Sequence, residues 1–470
     1  MLVRRRSLLS SVAGLAGAVA VSSGPAEAQS REEHREVAGR IVGACLADVD
    51  GMEKLTYLCD RIGHRLAGSA SLNRAIAWAA DTMRADGLRN VATPAVKVPV
   101  WIRGRESVTL LAPETRELPM LGLGGSIATP PEGITAEVVA APDFDALDAL
   151  GKAGIEGKVV LFNAAYAGYG NTVRYRASGP SRAAEYGAVA ALVRSVTPVS
   201  LYTPHTGALR YTVDAPKIPA AAITVEDAEW IARLQARGVA VRVRLRMEAR
   251  TEPDADSANV IGEIPGRTLP DEVVVMGGHI DSWDVGQGAQ DDGSGCLAPM
   301  QALALIQKLG LRPRRTLRVC LWTNEENGLR GGNAYRSWSE TRRERHVAAI
   351  EMDGGAERPV GFGLGLRNTG PSRENQLARA LARLRPVGAL LDGIHAGEIV
   401  AGGGGADIGP LMDAGVPGLG LRTVGEKYFH WHHTHADTLD KVDLQDFRAC
   451  MAAMGVMGYV LADMPETLLG

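Results

Sequence analysis

Glu272-Val273-Val274-Val275-Met276-Gly277-Gly278-His279-Ile280-Asp281 is the stretch on which the fold turns. Its apolar run shows no polar alternation, which is the pattern of a strand buried on both faces, and such strands belong to sheets covered by helices. It ends in glycines, an imidazole and a carboxylate, and residues 297–309 then read as a helix. The same order recurs downstream. Residues 317–322 form a strand-like run ending in Thr323-Asn324-Glu325-Glu326, and residues 347–350 end in Glu351-Met352-Asp353-Gly354-Gly355. Residues 419–421 are a candidate fourth strand, leading into Tyr428-Phe429-His430-Trp431-His432-His433-Thr434-His435-Ala436-Asp437-Thr438. This alternation predicts an α/β fold: a doubly wound mixed sheet with helices on both faces. In such sheets the carboxyl ends of the strands open on one crevice. Polar residues far apart in the chain should therefore meet.

Outward from that core, the chain has 470 residues, 46% hydrophobic and 22% charged. That exceeds one ordinary core and is too apolar for disorder, so two domains, or one domain with an insertion, are expected. A net charge of −3 excludes a nucleic-acid-binding polycation. Five cysteines without a Cys-x-x-Cys exclude a disulfide scaffold and a thiolate zinc site, although Cys45 and Cys59 could pair in an oxidising compartment. Residues 1–28 carry Arg4-Arg5-Arg6, an apolar run to Val21 and Ala26-Glu27-Ala28, the pattern of a cleaved export leader. The order Arg5-Arg6-Ser7-Leu8-Leu9 resembles the twin-arginine signal of bacteria. The mature chain is thus expected to start near Gln29 and to be periplasmic or extracellular. No run reaches the roughly 20 residues of a membrane anchor.

Residues 31–90 read as helical. Between 97 and 254 short β-like runs alternate with Gly and Pro, around helices such as 226–237, and no cluster of metal-ligand residues occurs. After 254 the strand–helix order resumes and continues to 470. The main fold is thus expected in two parts, 29–96 and 255–470, separated by a β-rich insert, 97–254.

The strand ends gather His279, Asp281, Asp291, Asp292, Glu325, Glu326, Asp353 and His433. Clustered carboxylates repel one another or take up protons unless a cation holds them. Imidazole and carboxylate together suit Zn²⁺, whereas calcium takes more oxygens and no histidine. With at least five candidate ligands, the set accommodates two ions about 3.5–4 Å apart sharing one carboxylate. Each residue alone has an ordinary explanation. Asp291-Asp292-Gly293 could be a turn or cap, and Glu325-Glu326 solvated charge at a helix start. Recurrence at successive strand ends is what favours a site. Spacing does not choose among His430, His432, His433 and His435, nor between Glu325 and Glu326. No His-Glu-x-x-His or Gly-x-Ser-x-Gly occurs, and Gly361-x-Gly363-x-Gly365 lacks the Lys-Ser/Thr of a phosphate loop.

The segments Gly278-His279-Ile280-Asp281-Ser282-Trp283-Asp284, Asp291-Asp292-Gly293, Thr323-x-Glu325-Glu326, Asp353 and His433-x-x-x-Asp437-Thr438 together resemble the di-zinc aminopeptidase and glutamate carboxypeptidase superfamily. The likeness extends through residues 124–137, Ser200-Leu201-Tyr202-Thr203-Pro204-His205-Thr206-Gly207 and residues 223–229, covering almost all of the mature chain. It implies the zinc-peptidase fold, a protease-associated domain as the insert, and two Zn²⁺ per chain. His279 and Asp353 would bind one ion, Glu326 and His433 the other, and Asp291 both. Asp281 would orient His279 and Glu325 would be the general base, with a cis peptide between Asp291 and Asp292. The resemblance also implies short peptides as substrates, cut as dipeptides or at the C-terminal residue, and a homodimer. Gly402 to Gly405 with Asp407-Ile408-Gly409-Pro410 could shape the pocket floor, and Tyr428, His430 and Trp431 could line it. Three rivals remain: an aminopeptidase of the same superfamily, a glutaminyl-cyclase-like acyltransferase with one zinc, and a non-catalytic binding protein.

Overall fold

The computed structural model describes residues 25–367 and 372–470, so the leader expected over 1–28 falls mostly outside the described residues. Residues 272–279 lie in strand Leu269–His279, inside an eight-stranded sheet. The sheet order is Arg89–Ala92, Val260–Ile264, Arg315–Trp322, Leu269–His279, Arg345–Glu351, Gly418–Thr423, Pro359–Gly365, Glu398–Ala401. From Arg315–Trp322 to Gly418–Thr423 the strands run parallel. Antiparallel neighbours flank them, so the sheet is mixed.

Burial on both faces explains why the middles of these strands are largely apolar. Val274, Met276, Leu317, Val319 and Leu321 pack on one face against helices Ser294–Lys308 and Leu444–Asp463. Val273, Val275, Cys320 and Trp322 pack on the other with Tyr335, Leu411 and Met412. Helix Leu444–Asp463 is hydrophobic nearly all round because this core encloses it. Its start is fixed by Asp443, whose carboxylate accepts the backbone N–H of Gln445 at 2.8 Å and of Asp446 at 3.0 Å.

A second eight-stranded sheet takes the order Arg116–Leu118, Glu106–Ala112, Arg242–Met247, Ile134–Ala141, Val159–Phe162, Ala190–Arg194, Ala220–Ile223, Met120–Gly122. The run from Ile134–Ala141 to Ala220–Ile223 is parallel, and parallel neighbours need crossover connections. Helices Phe144–Ile155, Tyr169–Ala177 and Gly179–Glu185 lie in these crossovers, so this unit is mixed rather than simply β-rich. An antiparallel ribbon, Ala95–Ile102 with Arg250–Ala258, joins it to the first sheet.

The two units are pinned together by Trp283, which comes just after strand Leu269–His279 but is buried in the second unit's core. Gly124 makes room for it, since a Cβ there would lie 2.0 Å from the indole ring. Arg103 reinforces the contact by donating from Nε to Asp284 at 2.9 Å. All five cysteines are buried and free, Cys45 and Cys59 included. No helix among the described residues is long and apolar enough to cross a membrane.

Candidate metal centre

The strand order brings the polar termini together. His279 closes strand Leu269–His279, and Asp291 lies in the turn before helix Ser294–Lys308. Glu325 and Glu326 come after strand Arg315–Trp322, Asp353 after Arg345–Glu351, and His433 lies in the loop after Gly418–Thr423. Asp291 sits in the middle. Its Oδ1 is 3.2 Å from His279 Nε2, and its Oδ2 is 3.2 Å from His433 Nε2. His279 Nε2 also lies 3.6 Å from Asp353 Oδ1, and His433 Nε2 lies 3.1 Å from Glu326 Oε2. One carboxylate thus divides the cluster into two groups, His279 with Asp353 and His433 with Glu326.

Neighbouring carboxylates hold this frame by binding backbone N–H groups. Asp281 accepts from Glu325 N at 3.0 Å and Glu326 N at 3.3 Å, which fixes the turn carrying both glutamates. The expected link from Asp281 to His279 takes another form. The backbone carbonyl of Asp281, not its carboxylate, lies 3.0 Å from His279 Nδ1, while the nearer carboxylate oxygen is 3.9 Å away. Asp292 accepts from His279 N at 3.0 Å and Gly295 N at 3.1 Å. Asp437 accepts from Ala289, Gln290 and Asp291, at 3.1, 2.7 and 3.1 Å, and so shapes the turn that presents Asp291. The Asp291–Asp292 peptide is cis. Behind the turn, the fully buried Arg65 donates to the carbonyls of Ile280, Gly63, Gln287 and Gly288 at 2.7–3.0 Å.

The electrostatics report negative charge in search of a cation. Burial first, and then the neighbouring carboxylates, push Glu325 well above the carboxylate range. Glu326 is pushed up to about 7, again foremost by burial and then by Asp291. Burial opposes protonation of His433, but Glu326 and Asp291 outweigh it and raise this imidazole to about 10. The donor set fits a metal. Zinc bonds of about 2.0–2.1 Å place tetrahedral donors about 3.3–3.4 Å apart, close to the separations around Asp291. Among the described residues, His279 with Asp291 and Glu326, His279 with Asp292 and Asp353, and Asp291 with His432 and His433 each present ligand atoms within 4.8 Å of one another.

A cleft of about 520 Å³ opens over this cluster. Asp291, Glu325, Glu326, Asp353, Tyr428, Phe429, His432 and His433 line it from the first unit. Glu325 is half-buried and Glu326 buried. His430 and Trp431, expected in the lining, are absent from it. Trp431 instead stacks under the Lys441 ammonium at 5.4 Å. The segment Gly402 to Pro410 does not line the cleft either. It wraps Glu351, whose carboxylate accepts from Ala406 N and Ile408 N at 2.9 Å, and a Cβ at Gly405 would lie 2.0 Å from that group. The sequence reading missed the opposite wall, where Tyr169, Val173, Arg176, Ala177, Ala208 and Arg210 come from the second unit. No periodicity marks them. The one signal was the family-like stretch 200–207, which lies beside them.

The model of peptidase family M28 matches residues 259–457. Carboxypeptidase Q of Mus musculus is 43% identical over 416 residues, covering 88% of this chain and 86% of that protein. The Homo sapiens carboxypeptidase Q is also 43% identical over the same shares. Among solved structures, a peptidase M28 precursor from Shewanella amazonensis SB2B superposes with a TM-score of 0.84 at 32% identity, covering 93% of this chain and 98% of that one. A zinc aminopeptidase from Bacillus subtilis shares the fold, with a TM-score of 0.63 at 20% identity, 89% of this chain and 96% of that one being covered. With its mixed-sheet architecture, imidazoles and carboxylates gathered at the strand ends, and relatives matching most of its length, the chain belongs to peptidase family M28 and is a metallopeptidase.

Proposed function

We propose that this chain is an exported di-zinc exopeptidase that hydrolyses dipeptides or releases C-terminal residues from short peptides. The observation that carries the reading is the position of Asp291, one oxygen facing His279 and the other facing His433. A carboxylate so placed is suited to bridging two ions, with His279 and Asp353 completing one set and His433 and Glu326 the other. Residues 97–254 would be the protease-associated insert, between catalytic parts 29–96 and 255–470, and residues 1–28 the export leader.

Two zinc ions in these sets would supply Lewis-acid chemistry, making a water acidic near pH 7 and polarising the scissile carbonyl. The protein supplies the rest. Glu325 lines the cleft and takes a proton from the attacking water. Glu325 would then pass that proton to the leaving nitrogen. Asp281 keeps Glu325 and Glu326 in register through the two backbone N–H groups it accepts. The exposed Arg210 in that wall supports recognition of a free carboxylate, since guanidinium groups bind carboxylates with good geometry, whereas Arg176 is buried and spends its Nη groups on Thr206 O and Tyr169 Oη. That favours a dipeptidase or carboxypeptidase over an aminopeptidase. Zinc analysis of purified protein, with dipeptide hydrolysis measured before and after chelation, tests the reading. About two zinc ions per chain and chelator-sensitive hydrolysis are expected. One ion with cyclising activity would favour the glutaminyl-cyclase-like alternative, and hydrolysis that survives complete metal removal would refute the mechanism.

A further inference from the structure

We propose that the second-sheet unit completes the metal centre: the backbone carbonyl of Thr206 accepts the Nδ1 proton of His433 and so leaves Nε2 bare towards Asp291 and Glu326. This rests on the two-ion reading above and assigns the unit a positioning role within it.

His433 Nδ1 lies 3.2 Å from the Thr206 oxygen, and Thr206 N donates back to the His433 oxygen at 3.0 Å. The two loops therefore clasp each other in both directions. His433 has φ +64, a conformation that a residue with a side chain keeps only when its surroundings hold it there. Thr206 is itself held. It is fully buried, its hydroxyl donates to Gly122 O at 2.7 Å, and its carbonyl also accepts from Arg176 Nη1 at 3.1 Å. Gly207 permits that approach, because a Cβ there would sit 2.2 Å from the Arg176 guanidinium carbon. The His433 loop is gripped at a further point. Thr197 Oγ1 donates to Phe429 O at 2.7 Å, and the Tyr169 ring stacks on Phe429 with centroids 5.0 Å apart.

His279 needs none of this. Its Nδ1 faces the carbonyl of Asp281, and its N–H binds Asp292, both within the first unit. The two halves of the centre thus differ in what fixes their imidazoles. A carbonyl can only accept, so an Nδ1 bound to one carries the proton, and the Nε2 lone pair is left for a metal. Groups that orient ligands in this way change metal affinity by about 10–100-fold. One competing arrangement is written in the same contacts. Arg176 Nη1 also lies 3.4 Å from His433 Nδ1, and donation there would place the proton on Nε2 instead.

Two measurements test the proposal. Thr206→Val keeps the side-chain shape but removes the hydroxyl that ties the loop to Gly122, and Thr206→Ser restores it. Zinc-loaded proteins are dialysed against chelators of graded strength, and zinc per chain is measured. The expected result is a Val variant in which one ion binds about 10–100-fold more weakly while the other is unchanged, with the Ser variant like wild type. Independently, the ¹⁵N imidazole spectrum of zinc-loaded wild type, with His433→Gln for assignment, should show a protonated Nδ1 and a metal-bound Nε2. Equal weakening of both ions with a lower melting point, full retention of both ions in the Val variant, or an unprotonated His433 Nδ1 would each overturn the proposal. If the Val variant does not fold, the spectrum decides. A wild-type chain that takes up fewer than two ions sinks the two-ion reading itself, and this inference with it.

Discussion

Glu325 and Glu326 are adjacent, and exchanging each for Gln separates the base from the ligand. Glu326 points inward: its Oε2 faces His433 Nε2 at 3.1 Å, and its Oε1 accepts from Trp283 N at 3.1 Å. Glu325 turns to the cleft, while its backbone N–H stays on Asp281. Gln is nearly isosteric, so Glu325→Gln should leave the Asp281 bond, the fold and the metal content intact. What it removes is proton transfer, which contributes about 10²–10⁴-fold to such reactions. At about 1.4 kcal/mol per decade this raises the barrier by about 3–5 kcal/mol. Initial rates on a dipeptide, with zinc per chain measured on the same samples, should show kcat reduced by that factor with KM and zinc unchanged. Glu326→Gln should instead lose zinc from one position. Near-normal turnover in Glu325→Gln would refute the assignment of the base. Zinc loss in Glu325→Gln, with retention in Glu326→Gln, would show that the two roles are reversed.

His346 gives a pH signature away from the metal centre. Burial, and then the Arg318 charge, lower it from 6.5 to about 3, while Tyr335 Oη lies 2.8 Å from its Nε2. Because its folded pKa is depressed, its contribution is full above about pH 6.5 and is lost as pH falls towards 3, reaching about 2 kcal/mol at pH 5. Urea titrations at pH 7 and 5 should show a stability drop that shrinks by up to that amount in His346→Gln, and an unchanged drop would contradict it. Arg65→Met strands four carbonyls that its guanidinium satisfies, at about 1–3 kcal/mol for each buried group left unpaired. A loss of at least about 3 kcal/mol in denaturant titration is expected, and a neutral substitution would show that these contacts contribute little. Trp283→Ala should cost about 3–5 kcal/mol, since this indole is 2% exposed and fills the second unit's core. Metal removal should lower the melting temperature, and the melting temperature should rise with the logarithm of free zinc, about 2.7 kcal/mol being available at 100 times Kd. A midpoint indifferent to zinc would argue against a resident ion.

Much of the first unit was legible because its signals are local. Residues 273–276 and 347–350 are apolar throughout and residues 317–322 are broken only by Arg318, and each run lies inside a strand of the central sheet. A strand covered on both faces has few polar positions to blur it, so the polar groups at its carboxyl end stand out. The second unit was less legible. Ala220–Ile223 is a buried strand of three alanines and an isoleucine, and nothing in that run says which strands it lies between. Its parallel pairing depends on a neighbour, Ala190–Arg194, about thirty residues earlier. His432 and His433 show the same limit at the site. The two rings stack at 3.5 Å, yet His433 Nε2 lies 3.1 Å from Glu326 and His432 Nε2 lies 3.7 Å from Asp291.

Local sequence is enough to say which groups are available: largely apolar strands that must be buried, and imidazoles and carboxylates placed where those strands end. Burial and periodicity are properties of a short stretch of chain, so they can be read without neighbours. Packing settles which oxygen of Asp291 faces which imidazole, that Asp281 reaches His279 through its carbonyl, and that the wall opposite Glu325 comes from another unit. The places of His433 and of that wall depend on distances between segments more than a hundred residues apart. Such distances are set by how two packed cores meet, and no single segment carries that information.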